Sequence, residues 1–211
     1  MTFTDSDYWN MIHAERSRVA NMLEGLSEGD WRATSLSSDW AVEQVVAHLT
    51  AAANTTLVSW LFSMLRAGFK PEKHNQRQLS KYLGDNPADT LEMFRESMAN
   101  TKAPTKDYCA WLGEVIVHGQ DIARPLEIRL NPDPMAVEQV AKFYAAKDFA
   151  VNSKSMASGL RLVVADSDFT IGEGPLVQAP LLELVMAMAG RPVDLQEFEG
   201  DGVEELGNRL T

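Results

Sequence analysis

From Tyr8 the apolar residues Ile12, Val19, Met22, Leu23 and Leu26 recur mostly at three- and four-residue steps, with Glu15, Arg16 and Arg18 between them. Side chains three and four apart share one side of a helix, so this spacing predicts an amphipathic helix that stops between Gly25 and Gly29. A second helix is predicted behind the side-chain oxygens of Ser37, Ser38 and Asp39, which suit the free amides of a first turn. It runs through Val42, Val45, Val46, Leu49, Leu57, Trp60, Leu61 and Met64 to about Ala67, and Gly68 ends it. Residues 69–85 are polar, with Lys70, Pro71, Lys73, His74 and Arg77 and only a brief apolar pattern at Leu79, Tyr82 and Leu83; they read as a long crossover connection. Asn86-Pro87 opens a third helix, since proline at the first helical position gives up an amide that would have no helical partner. Leu91, Phe94 and Met98 mark its face, and Pro104 closes it. A fourth helix from about Thr105 carries Tyr108, Trp111, Leu112, Val115 and Ile122 and ends before Pro125.

The pattern then changes. Asn131-Pro132-Asp133-Pro134 breaks the chain and caps a fifth helix bearing Val137, Val140, Phe143 and Tyr144. Two strand-like runs, 160–165 and 168–172, flank Asp166-Ser167 and predict a hairpin. Gly172-Glu173-Gly174-Pro175 reads as a turn leaving it, followed by a buried helix over 181–189 and a short one over 202–210. Four helices with one long connection predict a crossover four-helix bundle over residues 1–130. The mixed tail predicts a small α+β domain over 131–211, so the fold class is α+β.

The 211 residues carry 19 Lys plus Arg against 30 Asp plus Glu, a formal charge of -11. Such a balance argues against a nucleic-acid binder, which needs a basic stripe to displace counterions, and against binding to an anionic membrane surface. The single cysteine, Cys109, excludes an internal disulfide. No apolar run reaches the roughly 18 to 20 residues that span a bilayer, and the first twenty residues lack the pattern of a signal peptide; the expected setting is cytoplasmic.

Two of the four histidines, His48 in VVAHL and His118 in GEVIVHG, sit in apolar helical surroundings and need polar partners if buried. Glu114 precedes His118 by four residues, so the two project from one helix face a turn apart. With His48 from a facing helix they make a two-imidazole, one-carboxylate set that suits Zn²⁺ and leaves a fourth position open; Fe²⁺ or Ni²⁺ suits it too. The competing readings are a surface Glu–His pair or a satisfied core histidine, and spacing alone does not separate these from a metal site. Asp121, three residues past His118, is either an acceptor for its imidazole N–H or a solvated last-turn residue. His13 and His74 are expected at the surface and Cys109 as a small buried hydrophobe. Trp40, Trp60 and Trp111 are expected to line the core or a pocket. Arg124, Arg161 and Arg191 are candidates for an anionic substrate, with nothing to choose among them. The chain has no P-loop, dinucleotide-binding glycine fingerprint, Gly-x-Ser-x-Gly elbow or His-Glu-x-x-His pair.

The segments WAVEQVVAHL (40–49) and GEVIVHGQDI (113–122), with GEGPLVQAPLLELVMAMAGR (172–191) and EGDGVEEL after it, resemble the mycothiol-dependent maleylpyruvate isomerase family. That resemblance implies a DinB-like metal-binding bundle followed by a small sterol-carrier-like domain. It also implies a metal, usually assigned as zinc, on His48, Glu114 and His118. The thiol would come from mycothiol, with a small-molecule electrophile as substrate. Addition of its thiolate to a cis-enone, rotation and elimination would isomerise the enone; a substrate with a leaving group would give a conjugate. The implied activity is a metal- and thiol-dependent S-transferase or isomerase. A different class stays open: a non-catalytic, metal-stabilised protein binding small molecules or lipid. A hydrolase using metal-activated water is a third reading. Ala179 stands where the family more often has Gly before the proline.

Overall fold

Thr4 and Ser27 each accept a hydrogen bond from the backbone amide three residues on, while Asp7 and Asp30 accept from the cap residues' own amides. These two capping boxes satisfy amides that a helix start leaves unpaired. They open α1 (Asp5–Leu23) and α2 (Glu28–Arg32). In the computed structural model, which describes residues 3–37, 40–59, 61, 71–165, 167 and 169–210 and only the backbone of 71–74, the chain forms two compact units, residues 1–131 and 132–211. The fold class is α+β, as the pattern predicts.

The first unit continues with α3 (Val42–Asn54), α4 (Pro71–Leu79), α5 (Pro87–Ser97) and α6 (Tyr108–Ala123). Helices α1 and α3 each pack against both α5 and α6, which closes a four-helix bundle. Val45, Val46, Leu49, Phe94, Val115 and Ile122 fill its core with Val19 and Leu23. In three places this unit departs from the sequence pattern. The second helix ends at Asn54, not near Ala67. Thr55 turns extended and bonds its hydroxyl back to the Ala51 carbonyl, while Thr56 and Ser59 cap a new start. Leu57 and Leu61 are accordingly exposed rather than on a buried face, and Ser38, Asp39, Trp60, Met64 and Ala67 lie outside the described residues. Second, part of the expected crossover loop is the helix α4, whose Leu79 is fully buried. Third, Glu15 and Arg16 are buried on α1 rather than interrupting its apolar face from outside. The Arg16 guanidinium donates to the carbonyls of Met98 and Asn100, just past α5, where a helix end leaves carbonyls unpaired. Burial lowers its pKa to about 10, so it is charged at neutral pH.

The second unit holds α7 (Pro134–Ala146), capped by Asp133 as expected, and α8 (Ser153–Ala157). Strands β1 (Arg161–Val164), β2 (Thr170–Ile171) and β3 (Leu176–Ala179) are followed by α9 (Leu181–Met188) and α10 (Val203–Leu210). The hairpin forms with Leu162 opposite Ile171, but the sequence pattern missed β3, which pairs parallel to the other edge of β1. Parallel neighbours normally need a long crossover. Here β2 has already carried the chain back to the start of β1, so residues 172–175 only step across it. That step brings Gly172 and Gly174, both at positive φ, against the Leu160 and Gly159 carbonyls, where an added Cβ would stand 2.4 and 2.1 Å from oxygen. Only glycine satisfies both the conformation and the close approach. Among the described residues no helix is long and apolar enough to cross a membrane.

Candidate metal centre

Helix α6 is buried from Leu112 to Ala123 except at Glu114, because it serves as a central member of the bundle. Glu114 and His118 face the same side of it, and α3, packed alongside, presents His48 between the fully buried Ala47 and the buried Leu49. The Nε2 of His48 lies 2.5 Å from Oε1 of Glu114, and the Nε2 of His118 lies 3.6 Å from the same oxygen. The two imidazole centroids are 5.0 Å apart with planes at 76°. One donor atom from each of the three residues falls within 4.8 Å of the others, and among the described residues no other trio of such side chains converges in this way. The tertiary structure therefore brings together the three residues read from the sequence.

The cluster is desolvated, with side-chain exposures of 12%, 19% and 11% for His48, Glu114 and His118. Burial disfavours the Glu114 carboxylate, but hydrogen bonds and charge from His118 and His48 outweigh it and hold its pKa well below the ordinary value. Burial likewise disfavours the His118 imidazolium. Its bonds to Asp121 and Glu114 reverse the balance and push its pKa up to about 9. Asp121 is fully buried with its Oδ2 2.8 Å from His118 Nδ1, so the solvated-residue alternative is excluded.

The donor chemistry fits a divalent cation. Ligand atoms around a tetrahedral zinc stand about 3.4 Å apart, given bonds of about 2.0–2.1 Å. The 2.5 and 3.6 Å separations from the Glu114 oxygen bracket that spacing. Trp40 packs its indole 5.1 Å from the His48 ring, so it lines the cluster as expected of it. Sequence reasoning did not find the bond from the Leu36 amide to the Asp121 carbonyl, 2.9 Å long, which ties the loop before α3 to α6. A backbone bond has no side-chain signature by which to find it.

Cys109 is half-buried beside Tyr8, and burial pushes its thiol pKa up, away from the reactive thiolate. His13 is half-buried, with Nε2 3.3 Å from the Asn100 carbonyl; the His74 side chain lies outside the described residues. Trp111 is half-buried and donates to the Thr105 carbonyl. Arg124 bonds to Gln120 one turn back on α6; Arg191 bonds to the Ala189 carbonyl, and Arg161 is exposed at the start of β1.

Fold and site together define a protein with an N-terminal helical bundle that carries a buried imidazole–carboxylate–imidazole cluster, followed by a small α+β unit. Residues 12–107 match the family model described as the mycothiol maleylpyruvate isomerase N-terminal domain. Two solved structures share the fold across 95% of this chain and 96% of theirs: a mycothiol-dependent maleylpyruvate isomerase (15% identity, TM-score 0.67) and a histidine-to-alanine mutant of such an enzyme (14%, 0.68). The resemblance to the mycothiol-dependent maleylpyruvate isomerase family thus rests on a family model and on the fold as well as on the motifs. No curated protein matches the sequence.

Proposed function

We propose that the protein is a metal-dependent S-transferase or cis–trans isomerase of the maleylpyruvate isomerase type, using mycothiol as its thiol. The observation that carries this is the convergence of His48, Glu114 and His118 on one point of the bundle; the family match and the shared fold support it. When bound, the cation supplies charge that favours thiolate over thiol at neutral pH, and mycothiol supplies the nucleophilic sulfur.

The chain's own part is to bind and orient. His48 and His118 each offer Nε2 and Glu114 offers one carboxylate oxygen, a three-donor set that leaves a coordination position for an exogenous ligand. The low exposure of these side chains keeps the cluster's charges weakly screened, which strengthens their hold on a cation. Cys109 is poorly suited to be the nucleophile, since burial favours its neutral thiol, so the sulfur has to come from outside the chain.

The test is elemental mass spectrometry on tag-free protein purified without chelator, beside His48→Ala and Glu114→Ala. About one zinc per chain in wild type, lost in both variants, is the expected result for a three-ligand site. Conjugation of a model electrophile to mycothiol should then depend on the metal, with glutathione and bacillithiol as comparison thiols. Wild-type protein that neither carries nor takes up zinc, nickel or iron would leave the cluster as a buried ion-pair network and favour the binding-protein reading.

A further inference from the structure

We propose that Asp121 is a positioning residue for the cluster: its carboxylate fixes the His118 ring with the proton on Nδ1, so that Nε2 is the nitrogen offered to a metal. The inference rests on the metal reading above. Asp121 is fully buried, and a carboxylate without solvent needs a strong partner. Its Oδ2 lies 2.8 Å from His118 Nδ1, on the side of the imidazole opposite the Glu114 contact. A neutral imidazole carries its proton on either nitrogen, and the acceptor on one side decides which nitrogen keeps a free lone pair. The helix makes the pairing local, because a residue three positions on lies over the same face. The main chain of Asp121 does separate work by accepting the Leu36 amide at 2.9 Å. Substitution of the side chain leaves that tie in place and so isolates the role of the carboxylate.

The probes are Zn²⁺, titrated against a competing chelating indicator, and Co²⁺, read by its ligand-field absorption, on full-length wild type, Asp121→Ala and Asp121→Asn. Asp121→Ala should bind zinc about 10- to 100-fold more weakly, as is usual when the partner of a ligating histidine is removed. Its Co²⁺ spectrum should change. Asp121→Asn, whose carboxamide oxygen still accepts from Nδ1, should recover part of the affinity and the wild-type spectrum, which a general packing role for the side chain would not predict. A long-range ¹H–¹⁵N spectrum of zinc-loaded wild type needs no variant: His118 should show a protonated Nδ1 and a metal-shifted Nε2. The reverse assignment, or wild-type affinity and spectrum in Asp121→Ala, overturns the proposal. Failure of wild type to bind either ion overturns the metal reading itself, and this inference with it.

Discussion

The two units bury different chemistry. Among the described residues, the helical unit encloses Glu15, Arg16, His118 and Asp121, whereas the buried polar residues of the α+β unit are the neutral Gln139 and Ser153. Its core is otherwise apolar, built on residues such as Leu160, Leu162, Val177 and Leu184. A buried charge costs several kcal/mol unless it is paired and hydrogen-bonded, so a unit that retains four such groups has each held by specific geometry. In the bundle that geometry falls into two kinds. Arg16 closes the carbonyls beyond α5 and Glu15 pairs with Arg18, while His118, with Asp121 behind it, converges with His48 and Glu114 on the candidate site. Burial of charge alone does not separate these cases; the convergence of ligand-type atoms does.

The sharpest way to break this contrast is His48→Ala, which should abolish stoichiometric zinc while leaving far-ultraviolet circular dichroism near wild type; retention of zinc would mean that the metal is held without His48 and that the three-residue cluster is not its site. Leu162→Ala should act in the opposite sense. It removes a buried side chain from the sheet of the second unit and should cost about 2–5 kcal/mol in denaturant unfolding, with zinc content unchanged. Next comes Arg16→Met, which keeps most of the side-chain volume but strips the donors from the Met98 and Asn100 carbonyls. A loss of about 1–3 kcal/mol is expected, again without loss of metal. If zinc affinity fell with it, the structural and functional halves of the bundle's buried charge would not be separable.

The last contrast is in pH. The pKa of His118 is raised from 6.5 to about 9, so the stability it contributes to chelator-stripped protein is fully present below pH 6.5 and is lost as pH rises through about 9. Glu114 has the opposite sign: its contribution is present above its ordinary value of 4.5 and is lost as pH falls. Zinc needs the imidazole neutral, so loading should release a proton, and affinity should climb by up to about tenfold per pH unit between 6.5 and 9. Proton release measured by calorimetry in buffers of different ionisation enthalpy checks this, and a flat affinity over that range would count against the raised imidazole. The second unit has no comparable group among its described buried residues, so its unfolding should be nearly pH-independent over the same interval.

Local pattern carried much of this. The apolar spacing of Ile12, Val19 and Leu23, the Asn86-Pro87 start and the Asp133 cap each announced a helix that forms, and four residues between Glu114 and His118 place them a turn apart on any helix. The errors came where short-range chemistry competes with periodicity. Thr55 and Thr56 turned their hydroxyls on the backbone and ended α3 thirteen residues early, and α4 formed in a segment too polar to show a stripe. Strand β3 escaped notice because its partner, β1, is set by a crossing of Gly172 and Gly174 over a neighbouring backbone, a contact with no period along the chain.

By itself, then, the sequence determined most of the helix starts, the acidic and disulfide-free character, and the identity of three ligand-type side chains, because propensity, capping and residue chemistry act over a few neighbouring positions. Only the tertiary structure decided that His48 meets Glu114 across 66 residues of chain, that Asp121 is buried against His118 rather than solvated, and that Arg16 is enclosed. Those outcomes depend on which helix faces pack together, and packing is settled by the whole apolar core at once.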